Sequence, residues 1–558
     1  MQKICGQCSA EFGITEDDLA FHDKLSPVFG GKKELIPPPL LCPDCRLQRR
    51  LAHRNEKSLY HRTCDKTGKQ IISIYAPERP VVVYEKNEWW SDGWSGFDYA
   101  REIDFSRSFL EQFSELQRTV PRMSLQQEHN ENSDYSSNVS HLKNCYLLFS
   151  ADFSQDCAYG VWVERSRDCI DTFCIDECEH SYECVFCQKL YGCRFAYDSS
   201  QCSDCAFILD CRGCKNCFLC WGLRNKEHCI ANVQYTKEEY QKKMREFPLS
   251  SYRNTEAAGK QFVEMLMKAP RQSMRKHGSI VESTGDLLQN CGNCKNCYEL
   301  REGRDCVNSI GFQATDARDC TYVMGELGYE NCECFPMPQH SAFNLNCYTG
   351  NDLYYCDMCM QNCKNCFGCV GLKHAQYCIL NRQYTKEEYE ILVPKIIGQM
   401  RSTGAWGEFL PMNYSLFGYN ESEAQHYFPL EKNTALERGL PWTGQTEGKK
   451  KERKTSPVEL PDDIADVDDA LSEKILTCVV SGKQYKVIPQ ELKFYKKMGI
   501  PVPRKSPDQR HLERMAQRNP RHLWERQCMK CKKTIQTTYA PNRPEIVYCE
   551  ECYLKEVY

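Results

Sequence analysis

The sequence predicts a mostly β protein with α+β ends: a duplicated, cysteine-rich parallel β-helix or β-solenoid between small cysteine-knuckle modules. Three observations predict it. The stretch Cys211 to Tyr240, CRGCKNCFLCWGLRNKEHCIANVQYTKEEY, returns at Asn362 to Tyr389 as NCKNCFGCVGLKHAQYCILNRQYTKEEY, at an offset of 149. A fixed internal repeat decides the fold before any single element does. From Cys145 the cysteines recur at 157, 169, 184, 193, 205, 217 and 229, with 12 the commonest gap. Paired CxxC turns stand near both ends.

Residues 1–60 carry Cys5-x2-Cys8 and Cys42-x2-Cys45. Zn2+ takes four tetrahedral ligands, and each CxxC turn supplies two sulfurs from one tight knuckle. The second pair opens a helical run, CPDCRLQRRLAHRNEKSLYH, with Leu47 and Leu51 at helical spacing. A knuckle, a hairpin region and a second knuckle at a helix start make a treble-clef zinc ribbon. The stretch CGQCSAEFGITEDDLAFHDKL…PPPLLCPDCRLQRR resembles the short bacterial "probable zinc-ribbon" treble-clef family, marked by F-x-x-T…F-x-x-K…P…C-x-x-C-R. That resemblance implies a zinc-stapled fold and no particular reaction.

Residues 61–120 read as a degenerate ribbon that keeps only Cys64, then an aromatic segment from Trp89 and a helix on Phe109, Leu110, Phe113 and Leu116. The aromatics are expected to pack in a core.

The middle is two copies, 121–268 and 269–410. Cys214, Cys217, Cys220 and Cys229 fall on Cys363, Cys366, Cys369 and Cys378, and Cys145 and Cys157 on Cys294 and Cys306. Many of these cysteines follow Asp, Asn, His or Gly and precede alternating apolar residues, as in DCAYGVWV, which predicts short half-buried strands in stacked coils. Reduced cysteine suits a narrow interior, being small and only a weak donor. Thr236-x-x-Glu239 and Thr385-x-x-Glu388 are capping boxes that open a closing helix for each copy. The run Cys211, Cys214, Cys217, Cys220 lacks the x3 gap and trailing proline of a ferredoxin cluster, and reads as part of a structural ladder. The acids Asp152, Asp168, Asp171, Asp176, Glu177 and Glu179 read as turn residues. The polar segment Gln126 to Asn138 reads as a loop. Nucleophile-elbow, phosphate-loop, dinucleotide and HExxH motifs are absent from the sequence.

Residues 411–475 are a wrapping segment and a charged linker, basic at Lys449 to Lys454 and acidic at Asp462 to Asp469. The N-terminal pattern then returns at an offset of 464. PDCRLQRRLAHRN aligns with 507–519, Cys64 with Cys528, Thr67 with Cys531, Glu85 with Cys549 and Glu88 with Cys552. Residues 476–525 are therefore a degenerate treble clef that keeps only Cys478, and 526–558 an intact zinc ribbon with Cys528, Cys531, Cys549 and Cys552. Two structural Zn2+ sites are expected.

The whole chain resembles large cysteine-rich bacterial proteins in which treble-clef ribbons flank a repetitive cysteine-studded middle. The formal net charge is −4 and the pI near 6.4, so no global field draws the chain to nucleic acid or membrane. Without an apolar run long enough to span a bilayer or a signal-like N-terminus, and with this many cysteines in a long chain, a reducing cytoplasmic setting is expected. The function expected is a zinc-stabilised, non-enzymatic scaffold that binds a macromolecule, protein or nucleic acid. One alternative is an RNA- or DNA-associated protein whose Arg46, Arg49, Arg50, Arg54, Arg510, Arg514 and Arg518 track phosphates. Those arginines could instead pair with acids such as the 462–469 run. A second alternative, a β-helix enzyme acting on carbohydrate, needs a lateral groove with two carboxylates roughly 5 to 10 Å apart.

Overall fold

The structure, a computed structural model, describes residues 1–444 and 458–558; the basic run Lys449 to Lys454 lies outside them. Two large, mostly parallel sheets dominate. The first has 12 strands, from Gln127–Glu128 to Val233–Gln234, and the second 10, from Lys276–Val281 to Arg382–Gln383. Only the last strand of each turns back antiparallel. There the two expected capping boxes form, Thr236 on the helix Lys237–Glu246 and Thr385 on the helix Lys386–Ser402.

The register of the first sheet advances by twelve residues per strand: Tyr146 pairs with Ala158, Ala206 with Phe218, Cys217 with Cys229. The gaps of 15 and 9 among the cysteines are no irregularity of the backbone. Cys169 pairs with Ser181, so a buried serine fills the missing rung and Cys184 belongs to a neighbouring column. The second sheet slips, pairing Ile310 with Thr321, Gly328 with Ser341 and Asn351 with Lys364.

The expected period-two alternation is corrected by the backbone, whose period is three. From Asn138 to Ala231 every third residue lies in the left-handed region, with φ between +44° and +64°. The residue after nearly every one of these enters one continuous core, through Val139, Leu142, Cys145, Leu148, Ala151, Cys157 and onward to Cys229; Lys226 and Asn232, near the end of the run, are exposed. Left-handed backbone costs an L residue about 1–2 kcal/mol, least for Gly and for Asn or Asp. This is why Asn144, Asp156, Asp168, Asp204 and Asn216 stand immediately before core cysteines. The core column is tight: a Cβ added at Gly160 would lie 2.6 Å from Val163 Cγ2 and 2.9 Å from Leu148 Cδ2. Core thiols also follow a rule. Cys157 Sγ donates to Gln155 O at 3.2 Å and Ser166 O at 3.6 Å, and Cys169 Sγ to Arg167 O at 3.3 Å and Cys178 O at 3.5 Å. Burial pushes the Cys157 thiol well above its ordinary range and the Cys320 thiol to about 12. All 39 cysteines are free of disulfides.

The two sheets lie side by side and run in opposite senses, because rising numbers in one meet falling numbers in the other. Gln126 bonds Asn346, Asn138 bonds Glu333, Trp162 packs on Tyr322, Arg301 pairs with Asp176, and Gln188 bonds Gln289. The segment Gln126 to Asn138, expected as a plain loop, holds the strand Gln127–Glu128 and lies along this seam.

The terminal modules cross over. The N-terminal module directly precedes the first sheet yet docks on the second. Phe109, Phe113 and Leu116 of the helix Phe109–Thr119 pack with Tyr354, Phe367 and Ile379. Trp89 is fully buried beside Met123, Met358 and Met360, Trp90 and Trp94 pack half-buried against it, and Lys373 Nζ sits among the three, 4.5, 5.0 and 5.6 Å from their rings. The C-terminal module docks on the first sheet, through Leu492, Phe494 and Tyr495 against Ala158, Ile170 and Tyr182. Each module also adds a short parallel strand pair, Val83–Tyr84 with Arg122–Met123 and Val547–Tyr548 with Arg271–Gln272. These four segments correspond at the same offsets of 464 and 149.

Two predictions follow from this backbone and docking. Asn225 is exposed at φ +51°, so Asn225→Val should lower stability by about 1–2 kcal/mol while Asn225→Gly stays near neutral in chemical denaturation. Arg514→Met strips a fully buried ion pair from Asp171 and should cost about 3–5 kcal/mol by the same measurement.

Candidate metal centres and arginine helices

The N-terminal hairpin Gln2–Ile4 with Glu11–Gly13 and the start of the helix Pro43–Leu51 bring four sulfurs together. Cys5, Cys8, Cys42 and Cys45 have all ligand atoms within 4.8 Å of one another, and so do Cys528, Cys531, Cys549 and Cys552. Among the described residues these are the only groups of three or more His, Cys, Asp or Glu that meet that condition. Cys8 Sγ and Cys42 Sγ are 3.6 Å apart, and Cys531 Sγ and Cys549 Sγ 3.7 Å. A tetrahedral ion with metal–sulfur bonds of about 2.3 Å holds its sulfurs about 3.8 Å apart, so both sets fit one.

The local backbone favours thiolate. Cys42 N–H and Gln7 N–H point at Cys5 Sγ at 3.3 and 3.5 Å, and Cys549 N–H and Cys531 N–H at Cys528 Sγ at 3.3 and 3.5 Å. Cys42 is drawn down to about 5, chiefly by its hydrogen bond with Cys45, whose own thiol the same contact pushes up. Burial of Cys528 is outweighed by the amides of Cys531, Cys549 and Lys530, and that thiol falls to about 6. All four positions in each set are protein sulfurs, which leaves no ligand place for water or substrate.

Two further knuckles, around Cys64 and Cys478, keep this backbone without a full cysteine set. The hairpin Tyr60–Thr63 with Gln70–Ser73 matches Trp524–Gln527 with Thr534–Thr537 residue for residue at 464. Glu85 N–H donates to Cys64 Sγ at 3.4 Å, and the Glu85 carboxylate caps the helix Lys86–Trp90 at Asn87 N. Its counterpart Cys549 caps the helix Glu550–Val557 with its sulfur. In the other degenerate ribbon Cys478 accepts from Ser481 N–H at 3.4 Å. Ser506, at the place of Cys42, caps the helix Pro507–Met515 through Gln509 N–H. Sequence reading passed over Ser506; the offset of 464 and the Ser-Pro helix start were the signal for it.

Six of the seven arginines read as possible phosphate contacts are turned inward onto carboxylates, and for those six that reading is corrected. Arg46 pairs with Asp319 at 2.7 Å, Arg49 with Glu330 at 2.8 Å and Glu408 at 2.6 Å, Arg50 with Glu330 at 3.5 Å, and Arg54 with Glu333 at 2.6 Å and Glu56 at 3.0 Å. At the other end Arg510 meets Asp171 at 2.8 Å and Glu491 at 2.9 Å, and Arg514 meets Asp171 at 3.0 Å and Glu183 at 2.9 Å. All six are buried. Half-buried Arg518 bonds the Tyr427 hydroxyl at 2.5 Å and lies over its ring. A guanidinium already desolvated on a carboxylate cannot also neutralise a phosphate. The partners are acids of the parallel sheets and of packed segments, not the 462–469 run. Asp171 and Asp319, the first of them read as a turn residue, are therefore docking anchors.

The metal assignment has a direct check. Cys42→Ser should reduce bound metal from two ions per chain to one by elemental analysis, while Cys64→Ser should leave it at two.

No family model matches the chain, and none of the curated proteins does. A crystal structure from Desulfovibrio desulfuricans G20, whose title offers an acetyltransferase, aligns over 50% of this chain and 81% of its own, at 9% identity and a TM-score of 0.11. That score lies far below what a shared fold gives.

Proposed function

We propose that this protein is a zinc-stapled, non-enzymatic scaffold. Cys5, Cys8, Cys42 and Cys45 hold one Zn2+, and Cys528, Cys531, Cys549 and Cys552 a second. The two parallel sheets are successive coils of a duplicated β-solenoid, and the ribbons clasp its halves together. The observation that carries this reading is the pairing of two closed four-thiolate sets with arginine helices sunk into the parallel sheets. Closed four-cysteine sites are structural, and their metal contributes folding energy outright. In this reading the twelve-residue register and the left-handed step at every third residue are the turns of a narrow coil, and the cysteine column is its reduced interior.

A scaffold acts by what it holds. Of the two macromolecular classes named from the sequence, protein fits better, because the arginine helices are already engaged within the chain. The test is metal and thiol content of protein purified anaerobically. Two zinc ions per chain with the other 31 cysteines titrating as free thiols is the expected result. Chelation should lower the thermal midpoint and leave the parallel-sheet circular dichroism in place. Iron, or four or more metals per chain, would overturn the assignment and make the central cysteines ligands.

A further inference from the structure

Where the two sheets lie side by side they bound a cleft of about 230 Å³. One wall is a polar column. Glu128, Ser140, Asp152 and Glu164 line the cleft as successive register partners in adjacent parallel strands, and Asp176 follows Glu164 in register beyond the lining. Neighbouring positions in such a column stand about 4.8 Å apart. The rest of the lining includes Trp162, Phe312, Tyr322, Phe335 and Tyr348.

The acids outnumber the free bases. Arg54 is engaged by Glu56 and Glu333, and Arg301 by Asp176. Among the described residues the Asp152 carboxylate accepts only from Ser140, N–H at 2.9 Å and Oγ at 2.6 Å, while Glu164 has Arg165 at 3.8 Å and feels the charge of Arg301. Glu333 is only 8% exposed, and both Arg54 and Asn138 use its Oε1, which leaves Oε2 without a partner at the cleft. Burial pushes the carboxyls of Asp152 and Glu164 up, against the Ser140 hydrogen bonds at Asp152 and the Arg301 and Arg165 guanidinia near Glu164.

The duplication says the fold does not need this column. The offset of 149 sets Glu128 and Asp152 against His277 and Arg301; Arg301 then pairs with Phe312 where Asp152 pairs with Glu164, and the second sheet forms without the acid column. A twin cleft on the other side of the Gln188–Gln289 contact carries Lys276, His277 and Arg301 among its lining. At two places, Glu128 and Asp152, the second copy carries a base, His277 and Arg301.

We propose that the first cleft binds an organic ammonium ion, with Asp152, Glu164 and Glu333 receiving the cation and Trp162 and Phe335 packing its methylenes. Carboxylates in a partly desolvated cleft attract a cation strongly, and aromatic faces add to that attraction. A free polyamine and a lysine side chain of a bound peptide share this chemistry.

The experiment is calorimetric titration of spermidine, and separately of a lysine tetrapeptide, into the full-length metal-loaded chain at low ionic strength. Saturable one-site binding of either is expected, weakened about tenfold or more by Glu164→Gln through loss of a charge-assisted contact. Whichever probe binds tells which source of amine the cleft takes. Lys189→Ala, in the twin cleft, should leave binding unchanged. Metal content and thermal midpoint confirm that each variant folds; if Glu164→Gln does not, Asp152→Asn is read in its place. Absence of saturable binding for both probes, or a folded Glu164→Gln within twofold of the parent, overturns the proposal. So does a neutral oligosaccharide that binds while neither amine does.

Discussion

A backbone that turns left-handed at every third residue is the constraint from which the rest of this structure descends. It sets the register at twelve, places one residue in three inside, and leaves a column where Gly160 has no room for a methyl group. Cysteine, serine and alanine fill such a column because they are small, and cysteine adds apolar burial with a weak donor that the neighbouring carbonyls can take. The cost of the left-handed steps falls where asparagine, aspartate and glycine stand, and tight packing covers it where leucine, phenylalanine or tryptophan must adopt the same angle.

Much of this was legible. The offset of 149 announced the duplication, the two capping boxes announced where each copy ends, and the paired CxxC turns announced both metal sets, because each of these is local chemistry at fixed spacing. Other features were not. An Asp-Cys or Asn-Cys pair looks like the end of a turn, and only repetition at multiples of three distinguishes it from a repeated left-handed step. Ser181 hides a rung because a column tolerates any small side chain. The fate of Arg46 and Arg510 was out of reach, since their partners Asp319 and Asp171 lie hundreds of residues away and resemble ordinary turn acids. A basic helix is ambiguous until its acids are found.

The crossed docking gives the molecule an internal near-twofold relation. Arg46 with Arg50 about Asp319 corresponds to Arg510 with Arg514 about Asp171. A buried pair of this kind contributes little net stability against an apolar alternative, but breaking it strands a charge. Its use here is in fixing which module meets which sheet: a ribbon docked one strand out of register would bury an arginine with no carboxylate to receive it.

The complementary loss of ligands has a topological consequence. The ribbons that keep their cysteines are the first and the last segments of the chain, while the two that lost them lie further in, next to the strands Val83–Tyr84 and Leu476–Thr477. Each thiolate set closes over residues of its own module, 5–45 and 528–552, so a metal held there would staple that module alone and would not bridge the two sheets. The knuckles further in are held by hydrogen bonds of Glu85 and Ser506 instead.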